Sequence, residues 1–361
     1  MAPSEHVVGG SAPAGAATYR DAGVDIAAAD AAKRDMAAAL ASSDPRILNG
    51  IGPFATLIDG RFAEYREPVL VMKTEEPGSK QKLAVSQGSY RSICYDLVHH
   101  LIDDIVVMGA QPVAVQDAIV CGQLEPSVVA TLVRSLGEAC RAQGCTLTGG
   151  ETSEQPGVLD AGTYVITASV LGVAERSHIV DGAAIAAGDT VMALASSGVH
   201  TNGISLIRRL LEDDRALATR DVAGEPFLQR VLEPHRCYRE ALQPLFGAAS
   251  LHGLAHITGG GIRDNLTRVL PTTVQARIDL ARLDIPPVFG AIRDAGGVSD
   301  EEMLHVYNLG VGMTAVVAAG AEGELADACH EEEVVCYPIG EIVERQTGAG
   351  EPVAFGGSLP W

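Results

Sequence analysis

A short loop that combines glycine with charged residues is the first segment whose composition could do chemistry. Residues 74–80 read TEEPGSK and follow the β-rich run VLVM of residues 69–72. Glycine lets the backbone approach a ligand closely, and Ser79 and Lys80 could contact phosphate oxygens. The loop lacks the G-x-x-x-x-G-K-S/T order of a P-loop, so a solvated surface turn with a charge pair is an equally good interpretation of its composition.

Two adjacent carboxylates, Asp103 and Asp104, lie toward the end of residues 95–108, where apolar side chains recur at helical spacing. Acidic residues near a helix C-terminus are unfavourable by up to about 1 kcal/mol unless a cation compensates. Magnesium in nucleotide sites is commonly held by one or two carboxylates together with phosphate oxygens and water. The pair therefore favours a cation site over the alternative, an exposed acidic helix end.

Two further loops contain glycine beside polar side chains. Residues 196–203 (SSGVHTNG) follow a strand-like run and open a helix, so free N–H groups there could bind an anion while Thr201 or Asn202 caps the helix. His200 could contact a substrate or carry a proton, although a lone loop histidine is more often polar surface. Residues 258–261 (TGGG) permit close approach to a ligand, or form only a flexible turn.

The elements expected to position these loops alternate between helix and strand. Helical spacing or composition predicts helices over residues 27–40, 95–108, 129–140, 203–211 and 235–246, and Gly144 suits the cap of the third. β-rich runs predict strands over residues 69–72, 146–148, 164–173, 190–195, 275–280 and 311–317. A chain of 361 residues with this pattern is expected to be an α/β (α+β) protein. Its expected parts are a flexible arm (1–18), domains at 19–173 and 174–345, and a loose tail (346–361).

Composition limits the partners and the compartment. A formal net charge of -20 argues against binding to nucleic acid, whose affinity comes mainly from Lys and Arg. No signal-peptide pattern and no run of about 18 uncharged apolar residues occurs, so no membrane association is expected. The cysteines number 7 and are scattered without a C-x-x-C pair, as is typical of reduced thiols in a cytoplasmic protein.

Taken in order, several segments resemble the phosphoribosylformylglycinamidine cyclo-ligase (aminoimidazole ribonucleotide synthetase) family. Residues 104–112 (DIVVMGAQP) fit the D-x4-G-A-x-P signature of its superfamily. The other matching segments are residues 19–26 (YRDAGVDI), 149–152 (GGET), 196–203, 255–261 (AHITGGG) and 308–313 (NLGVGM). Each is weak alone, but together they cover nearly the whole chain in family order.

The resemblance implies a homodimer whose N-terminal domains form a β-barrel across the dimer, each carrying an outer C-terminal α/β domain with a mixed sheet. It implies that ATP binds in the cleft with Mg²⁺, and it allows a role for K⁺. The implied reaction is ring closure of formylglycinamidine ribonucleotide to 5-aminoimidazole ribonucleotide in purine synthesis. ATP would activate the formyl amide oxygen, so the site needs positioning and charge stabilisation rather than a protein nucleophile.

Family positions also imply roles for individual residues. Lys80, His200 and Asn202 are the expected catalytic residues, and Asp104, Glu75 and Asp103 are the expected metal ligands. The expected ATP-binding residues are Thr74, Gly78, Ser79, Lys80, Asp104, Gly149, Gly150, Glu151, Thr258, Gly259 and Gly260.

Two segments depart from the family pattern and keep other functions open. Where the family usually reads T-D-G-V-G-T-K this chain has TEEPGSK, and where it reads V-N-D this chain has Ile102, Asp103 and Asp104. The added negative charge would repel a triphosphate unless a cation offsets it. The alternatives are a related ATP-dependent kinase or synthetase acting on another small molecule, and a nucleotide-binding protein that has lost catalysis. Selenophosphate synthesis is disfavoured because the first cysteine is Cys94.

Overall fold

The computed structural model describes residues 44–50, 54–346 and 350–361. The predicted arm over residues 1–18, the predicted helix over residues 27–40 and the family-like segment 19–26 lie outside these ranges. Within them the protein is a mixed α/β molecule with two domains, each built on its own mixed sheet.

The N-terminal domain is built on a sheet in the order β1-β4-β2-β3. Its elements are β1 (Pro68–Glu75), α1 (Lys80–Ser86), α2 (Tyr90–Val106), β2 (Gln111–Cys121), α3 (Pro126–Ala142), β3 (Thr146–Glu154) and β4 (Tyr164–Glu175). β4 pairs antiparallel with β1 and β2, whereas β2 and β3 are parallel. A parallel pair needs a crossover connection, and α3 provides it.

One face of this sheet is buried and the other is open. Leu97 of α2, Leu132 of α3 and Val170 of β4 belong to the same buried cluster, because the apolar stripes of both helices face the sheet. On the opposite face of β1, Leu70 and Met72 are 58% and 76% exposed. Within the described part of this single chain the sheet does not close into a barrel.

The C-terminal domain is built on a sheet in the order β12-β9-β11-β5-β10-β8, antiparallel except for β12 beside β9. Its strands are β5 (Thr190–Ala195), β8 (Leu251–His256), β9 (Val274–Asp279), β10 (Val311–Val317), β11 (Cys336–Glu344) and β12 (Val353–Gly356), with a separate pair β6 (Asp221–Val222) and β7 (Glu225–Pro226). Its helices are α4 (Ile204–Asp213), α5 (Phe227–Val231), α6 (Arg239–Leu242), α7 (Gly261–Thr267), α8 (Pro287–Gly296), α9 (Asp300–Val306) and α10 (Glu322–Glu331).

The central strands of this sheet are buried on both faces, and this joins the domains. Val191 and Ala193 of β5 pack into a cluster within the C-terminal domain. The alternate residues Met192 and Leu194 join the cluster that contains α2 and α3. Each fully buried aliphatic side chain of this size contributes about 1.5–3 kcal/mol. The alternation on β5 therefore fixes the C-terminal sheet against the helices of the N-terminal domain.

Local pattern predicted most of these elements. The strands expected over residues 190–195 and 311–317 are confirmed as β5 and β10, and the helix over 129–140 is confirmed within α3. Gly144 follows α3 with a left-handed φ of 70°, as its proposed cap role requires. No helix in the described ranges is both long enough and apolar enough to span a membrane.

Two expectations about the C-terminal domain were wrong. The helix predicted over residues 235–246 is reduced to α6 and a 3₁₀ turn, Gln243–Leu245, because the backbone N–H groups of His235 and Tyr238 bind carboxylates on α2. The tail predicted to be loose contains β12, which pairs with β9 and buries Val353. The alternation of this short strand is too brief to be recognised without its partner.

The buried Asp117 on β2 is expected to make stability depend on pH. Burial raises the pKa of its carboxyl to about 7, whereas the pKa in the unfolded chain stays near 3.8. Between these values only the folded state holds the proton, so the free energy of unfolding falls as the pH rises through this window. Between pH 5 and pH 8, the free energy of unfolding of Asp117→Asn should therefore fall by about 1–3 kcal/mol less than that of the parent protein. Urea unfolding at each pH measures this difference. The exposed Asp327→Asn serves as control, and equal slopes in all three proteins would contradict this account.

Candidate active site

The chemistry-bearing side chains gather where α2 faces the C-terminal sheet. His100 and Asp104 are one turn apart on α2 and therefore share a face. His256 is the last residue of β8, and His200 lies in the loop between β5 and α4. His235 lies in the irregular segment before α6. These imidazoles are at most 8% exposed.

His256 links Asp104 to the other histidines. Its Nδ1 lies 2.7 Å from Asp104 Oδ1, and its Nε2 lies 3.1 Å from Nε2 of His235. A carboxylate at Nδ1 favours the tautomer with the proton on that atom, which leaves the lone pair on Nε2. The His200 ring stacks on the His235 ring with 3.8 Å between centroids. The three rings thus form a contiguous buried group with one end at Asp104.

Burial and neighbouring charges determine the ionisation of this group. Burial lowers the pKa of His100 to about 4, and burial holds the pKa of His200 and of His235 well below the usual value. Burial would raise the pKa of Asp104, but the hydrogen bonds from His256 and Lys73 outweigh it and the pKa is lowered. At neutral pH the group therefore combines an ionised Asp104 with neutral imidazoles at His100, His200 and His235.

A lysine side chain joins the two carboxylates nearest the solvent. Nζ of Lys73 lies 2.8 Å from Glu75 Oε1 and 2.9 Å from Asp104 Oδ2. The side chains of Glu75 and Asp104 keep 25% and 17% of their surface exposed. Two of the predicted metal ligands, Glu75 and Asp104, therefore converge on one position, which the ammonium group of Lys73 occupies.

The structure corrects the role predicted for Lys80. Its side chain is 0% exposed, and Nζ lies 2.9 Å from both Asp96 oxygens and donates to the carbonyl oxygen of Glu233 at 2.9 Å. Asp96 also accepts the backbone N–H of His235. A fully buried ammonium with its donors engaged is not available to phosphate, because leaving the carboxylate unpaired in this environment is costly. Lys80 instead ties α1 to α2 and to the segment before α6.

Asp103 does not lie beside Asp104 as a second open metal ligand. Its side chain is 0% exposed, and Oδ1 accepts the backbone N–H of Tyr238 at 2.8 Å. Oδ2 lies 3.3 Å from Nε2 of His235. Burial raises the pKa of this carboxyl to about 7. Adjacent helix residues point about 100° apart, so Asp103 enters the packed interior while Asp104 stays 17% exposed.

The loops predicted from their glycines meet beside this cluster. A Cβ on Gly78 would lie 3.6 Å from the carbonyl oxygen of Thr201, and Thr201 Oγ1 lies 3.2 Å from Nδ1 of His100. A Cβ on Gly259 would lie 3.4 Å from Oδ1 of Asn202. Ser79 Oγ and Ser205 Oγ are 3.3 Å apart. Gly78, Thr201, Asn202 and Gly259 therefore border one region beside His100.

Local structure explains the glycines and the unusual backbone of His200. Asn265 Nδ2 donates to the carbonyl oxygens of Thr258, Gly259 and Gly261, which fixes the turn. Gly260 has φ 92°, and a Cβ there would lie 2.5 Å from Asp264 Oδ2. His200 itself has φ 55°, a strained value for a residue with a side chain. Backbone strain of this kind concentrates at functional sites.

Gly149, Gly150 and Glu151 are not brought to the same region. They lie within β3, at the opposite edge of the sheet from β1, and a sheet edge three strand spacings away is about 14 Å distant. A Cβ on Gly150 would lie 2.2 Å from the carbonyl oxygen of Asp117, so close packing between β2 and β3 accounts for this glycine.

Sequence reasoning missed three members of the cluster: His100, His235 and His256. The spacing of His100 and Asp104 on one helix was a usable signal, since residues four apart share a face. His235 and His256 carry no such signal, because their partners Asp103 and Asp104 lie 132 and 152 residues away in the sequence. Only the tertiary fold brings them together.

Comparison with known proteins supplies matches to both domains. Residues 63–174 match the model of the AIR synthase related protein, N-terminal domain, and residues 186–351 match that of the AIR synthase related protein, C-terminal domain. The chain is 39% identical over 344 residues to a phosphoribosylformylglycinamidine cyclo-ligase of Aromatoleum aromaticum. The alignment covers 94% of this chain and 99% of the relative. It is 38% identical to the protein of that name from Methylobacillus flagellatus, covering 92% and 96%.

Solved structures with a similar fold are more distant in sequence. Escherichia coli HypE superposes with a TM-score of 0.63 at 17% identity, covering 91% of this chain and 94% of that one. A thiamine-monophosphate kinase from Stenotrophomonas maltophilia superposes with a TM-score of 0.59 at 17% identity, covering 90% of this chain and 94% of the kinase. A hydrogenase maturation protein HypE in complex with ATP superposes with a TM-score of 0.60 at 16% identity, covering 89% of this chain and 88% of that one. These similarities concern the fold.

The buried position of Lys80 predicts that its removal affects stability. We expect Lys80→Met to lower the free energy of unfolding by about 3–5 kcal/mol, because it leaves the Asp96 carboxylate buried without a countercharge. The exposed Lys82→Met on the same helix is the control and should change it by less than about 0.5 kcal/mol. Adding Asp96→Asn to Lys80→Met should restore part of the loss in urea unfolding. A Lys80→Met protein as stable as the parent but with weakened ATP binding would show that the lysine serves phosphate instead.

Proposed function

This chain belongs to the AIR-synthase-related family, and from that membership we propose that it closes the imidazole ring of formylglycinamidine ribonucleotide. The ATP-dependent reaction yields 5-aminoimidazole ribonucleotide, ADP and phosphate, a step of purine biosynthesis. The observation that carries the proposal is that relatives named as cyclo-ligases align with both domains, over 92% or more of this chain. The meeting of the three glycine-containing loops at the histidine cluster supports it.

The proposed chemistry requires no protein nucleophile. The γ-phosphoryl group of ATP passes to the formyl amide oxygen, and the neighbouring amidine nitrogen then attacks that carbon. The new C–N bond replaces the C–O bond, phosphate leaves with the oxygen, and the nitrogen loses a proton. The protein contributes positioning and stabilisation of charge.

His200 and Asn202 are proposed to face the substrate. The neutral imidazole of His200 can accept the proton released at ring closure, which a protonated ring could not do. The accepting atom is Nε2, whose lone pair now receives only the long 3.3 Å hydrogen bond from the backbone N–H of Ser197. Asn202 lies beside Gly259, where its amide could hold a substrate amide while the glycine backbone approaches the nucleotide.

Glu75 and Asp104 are proposed to hold Mg²⁺. The pair fits the ion because Mg²⁺ prefers oxygen ligands, and both carboxylates already contact one cationic atom, Nζ of Lys73. When bound, the ion neutralises negative charge on the phosphates. Lys73, displaced from the carboxylates, is then the lysine best placed to pair with a phosphate, a role that the burial of Lys80 rules out for that residue. No residue is assigned to K⁺.

ATP is proposed to bind along the loops that border the cluster. Gly78 and Ser79 would border it on one side, and Thr258, Gly259 and Gly260 on the other. Thr74 is on the open face of β1 with Leu70 and Met72, and its hydroxyl lies 2.7 Å from that of Ser169. Gly149, Gly150 and Glu151 lie on β3, at the edge of the sheet opposite β1, and are not assigned to this part of the nucleotide.

A homodimer is proposed to bury the open face of the N-terminal sheet. Two such sheets facing each other would form the barrel expected for this family and cover Leu70 and Met72, which are exposed in the single chain. Exposed large apolar side chains that adjoin on one strand are a common mark of a protein interface.

A related kinase or synthetase remains the alternative function. The similarity to a thiamine-monophosphate kinase concerns the fold, and many activities share one fold. Product analysis separates the two functions, because a kinase consumes ATP without forming an aromatic amine.

We expect purified protein with formylglycinamidine ribonucleotide, ATP, Mg²⁺ and K⁺ to form ADP and the aromatic amine in equal amounts. His200→Asn should lower kcat/KM by about 10²–10⁴-fold, because asparagine tolerates a left-handed φ but cannot accept the proton. His330→Asn, an exposed histidine on α10, is the control and should leave the rate unchanged. ADP without the amine would indicate a kinase, and no turnover would indicate a nucleotide-binding protein.

Light scattering tests the proposed dimer. The parent should have the mass of two 37.5-kDa chains, and Leu70→Asp with Met72→Asp should have the mass of one, because carboxylates would be buried at the interface. Val335→Asp replaces an exposed apolar residue of the C-terminal domain, directly before β11, and should remain a dimer. A monomeric parent protein would argue against the barrel.

A further inference from the structure

We propose that His200, His235 and His256 form a binding site for one divalent transition-metal ion of the Zn²⁺ type. Each contributes one ligand atom, and these atoms lie within 4.8 Å of one another. The site is chemically distinct from the Mg²⁺ position proposed above, since imidazole nitrogen suits Zn²⁺, Co²⁺ or Ni²⁺ whereas Mg²⁺ prefers oxygen. It shares His200 and Asp104 with the site proposed for ring closure, and an ion bound there would engage the lone pair with which His200 is proposed to accept a proton.

The separation of two nitrogens agrees with a shared ion. Nε2 of His235 and Nε2 of His256 are 3.1 Å apart. Zinc holds imidazole nitrogens at about 2.0–2.1 Å, so two ligands of a tetrahedral site are about 3.3 Å from each other. These two rings can therefore bind one ion with little rearrangement.

Asp104 fits the role of the carboxylate that orients a metal-binding histidine. Its Oδ1 lies 2.7 Å from Nδ1 of His256. Metal-binding histidines almost always donate their second N–H to a carboxylate, carbonyl oxygen or water, which fixes the ring and directs the other nitrogen to the metal. Here that second nitrogen, Nε2, points to His235.

His200 supplies the third imidazole of the group. Its Nε2 accepts the backbone N–H of Ser197 at 3.3 Å, so the lone pair of the neutral ring lies on Nε2 and the proton lies on Nδ1, which is buried without a hydrogen-bond partner among the described residues. An ion at Nε2 would replace this long hydrogen bond. The His200 and His235 rings stack with 3.8 Å between centroids and 25° between planes, so one of them must rotate before lone pairs of both rings point to one ion.

The carboxylate nearest the group keeps part of its surface exposed. Asp104, 17% exposed, contacts His256 on one side and shares the ammonium of Lys73 with Glu75 on the other. Displacement of that ammonium would leave negative charge that favours a divalent cation.

A second set of side chains in the same region could also hold a metal ion. His100, Asp104 and His256 also lie within 4.8 Å of one another, with Asp104 then serving as a direct ligand. Two ligands of one tetrahedral ion are about 3.3 Å apart. The 3.1 Å between Nε2 of His235 and Nε2 of His256 is closer to this value than the 2.7 Å between His256 Nδ1 and Asp104 Oδ1, which is a hydrogen-bond distance, or the 3.7 Å between His100 Nε2 and Asp104 Oδ2. The proposal therefore predicts that His100 is dispensable for metal binding.

The test measures metal binding directly, with EDTA-treated full-length protein titrated with Co²⁺ and then with Zn²⁺ against a chromophoric chelator. We expect one ion per chain, with the strong visible absorbance of tetrahedral Co²⁺. His235→Asn and His256→Asn should each weaken binding by more than about 100-fold, and Asp104→Asn by about 10–100-fold. His100→Asn and the exposed His305→Asn should bind like the parent. Circular dichroism checks folding, and His235→Gln replaces His235→Asn if the latter unfolds.

Zn²⁺ should also raise the Tm of the parent and not that of His235→Asn, because only a protein that binds the ion in its folded state is stabilised. Co²⁺ uptake that is equally strong in His200→Asn, His235→Asn and His256→Asn would overturn the proposal, as would its absence from the parent. Loss of binding in His100→Asn with retention in His200→Asn would assign the ion to the other group.

Discussion

Three aspartates on one helix connect the two domains, and much of the site depends on them. Asp96, Asp103 and Asp104 lie seven and eight residues apart on α2, which places them along one side of the helix. Asp96 accepts the N–H of His235, Asp103 accepts that of Tyr238, and Asp104 lies 2.7 Å from the ring of His256. Buried carboxylates must find donors, and here the donors come from the C-terminal domain.

This constraint shapes the segment between Glu233 and Tyr238. The carbonyl oxygen of Glu233 accepts Lys80, while the two backbone N–H groups further along are bound by carboxylates. N–H groups held by side chains of another element cannot form helical hydrogen bonds, so α6 begins only at Arg239. The extended path in turn brings the His235 ring between His200 and His256. The histidine cluster is thus a consequence of satisfying the aspartates.

The limits of sequence reasoning follow from the same geometry. Strands such as β5 and β10 were recognisable because their apolar runs are local, and the loops at 196–203 and 258–261 because glycine leaves a local signature. The burial of Lys80 could not be predicted, since its partners Asp96 and Glu233 lie on elements 16 and 153 residues away in the sequence. The resemblance indicated the family but assigned roles by position, and position does not reveal whether a side chain faces the cleft or the core.

The extra acidic residues of this chain are less disruptive than their count suggests. Asp103, which stands where the family usually has asparagine, is buried and keeps its proton up to about pH 7, so it adds only part of a negative charge in the neutral range. Glu75 shares the ammonium of Lys73 with Asp104. Glu76 is exposed to solvent, where its charge is screened. The repulsion expected between these acids and a triphosphate is therefore reduced in three ways. Asp103 is buried and partly protonated, Glu75 is paired with Lys73, and the charge of Glu76 is screened by solvent.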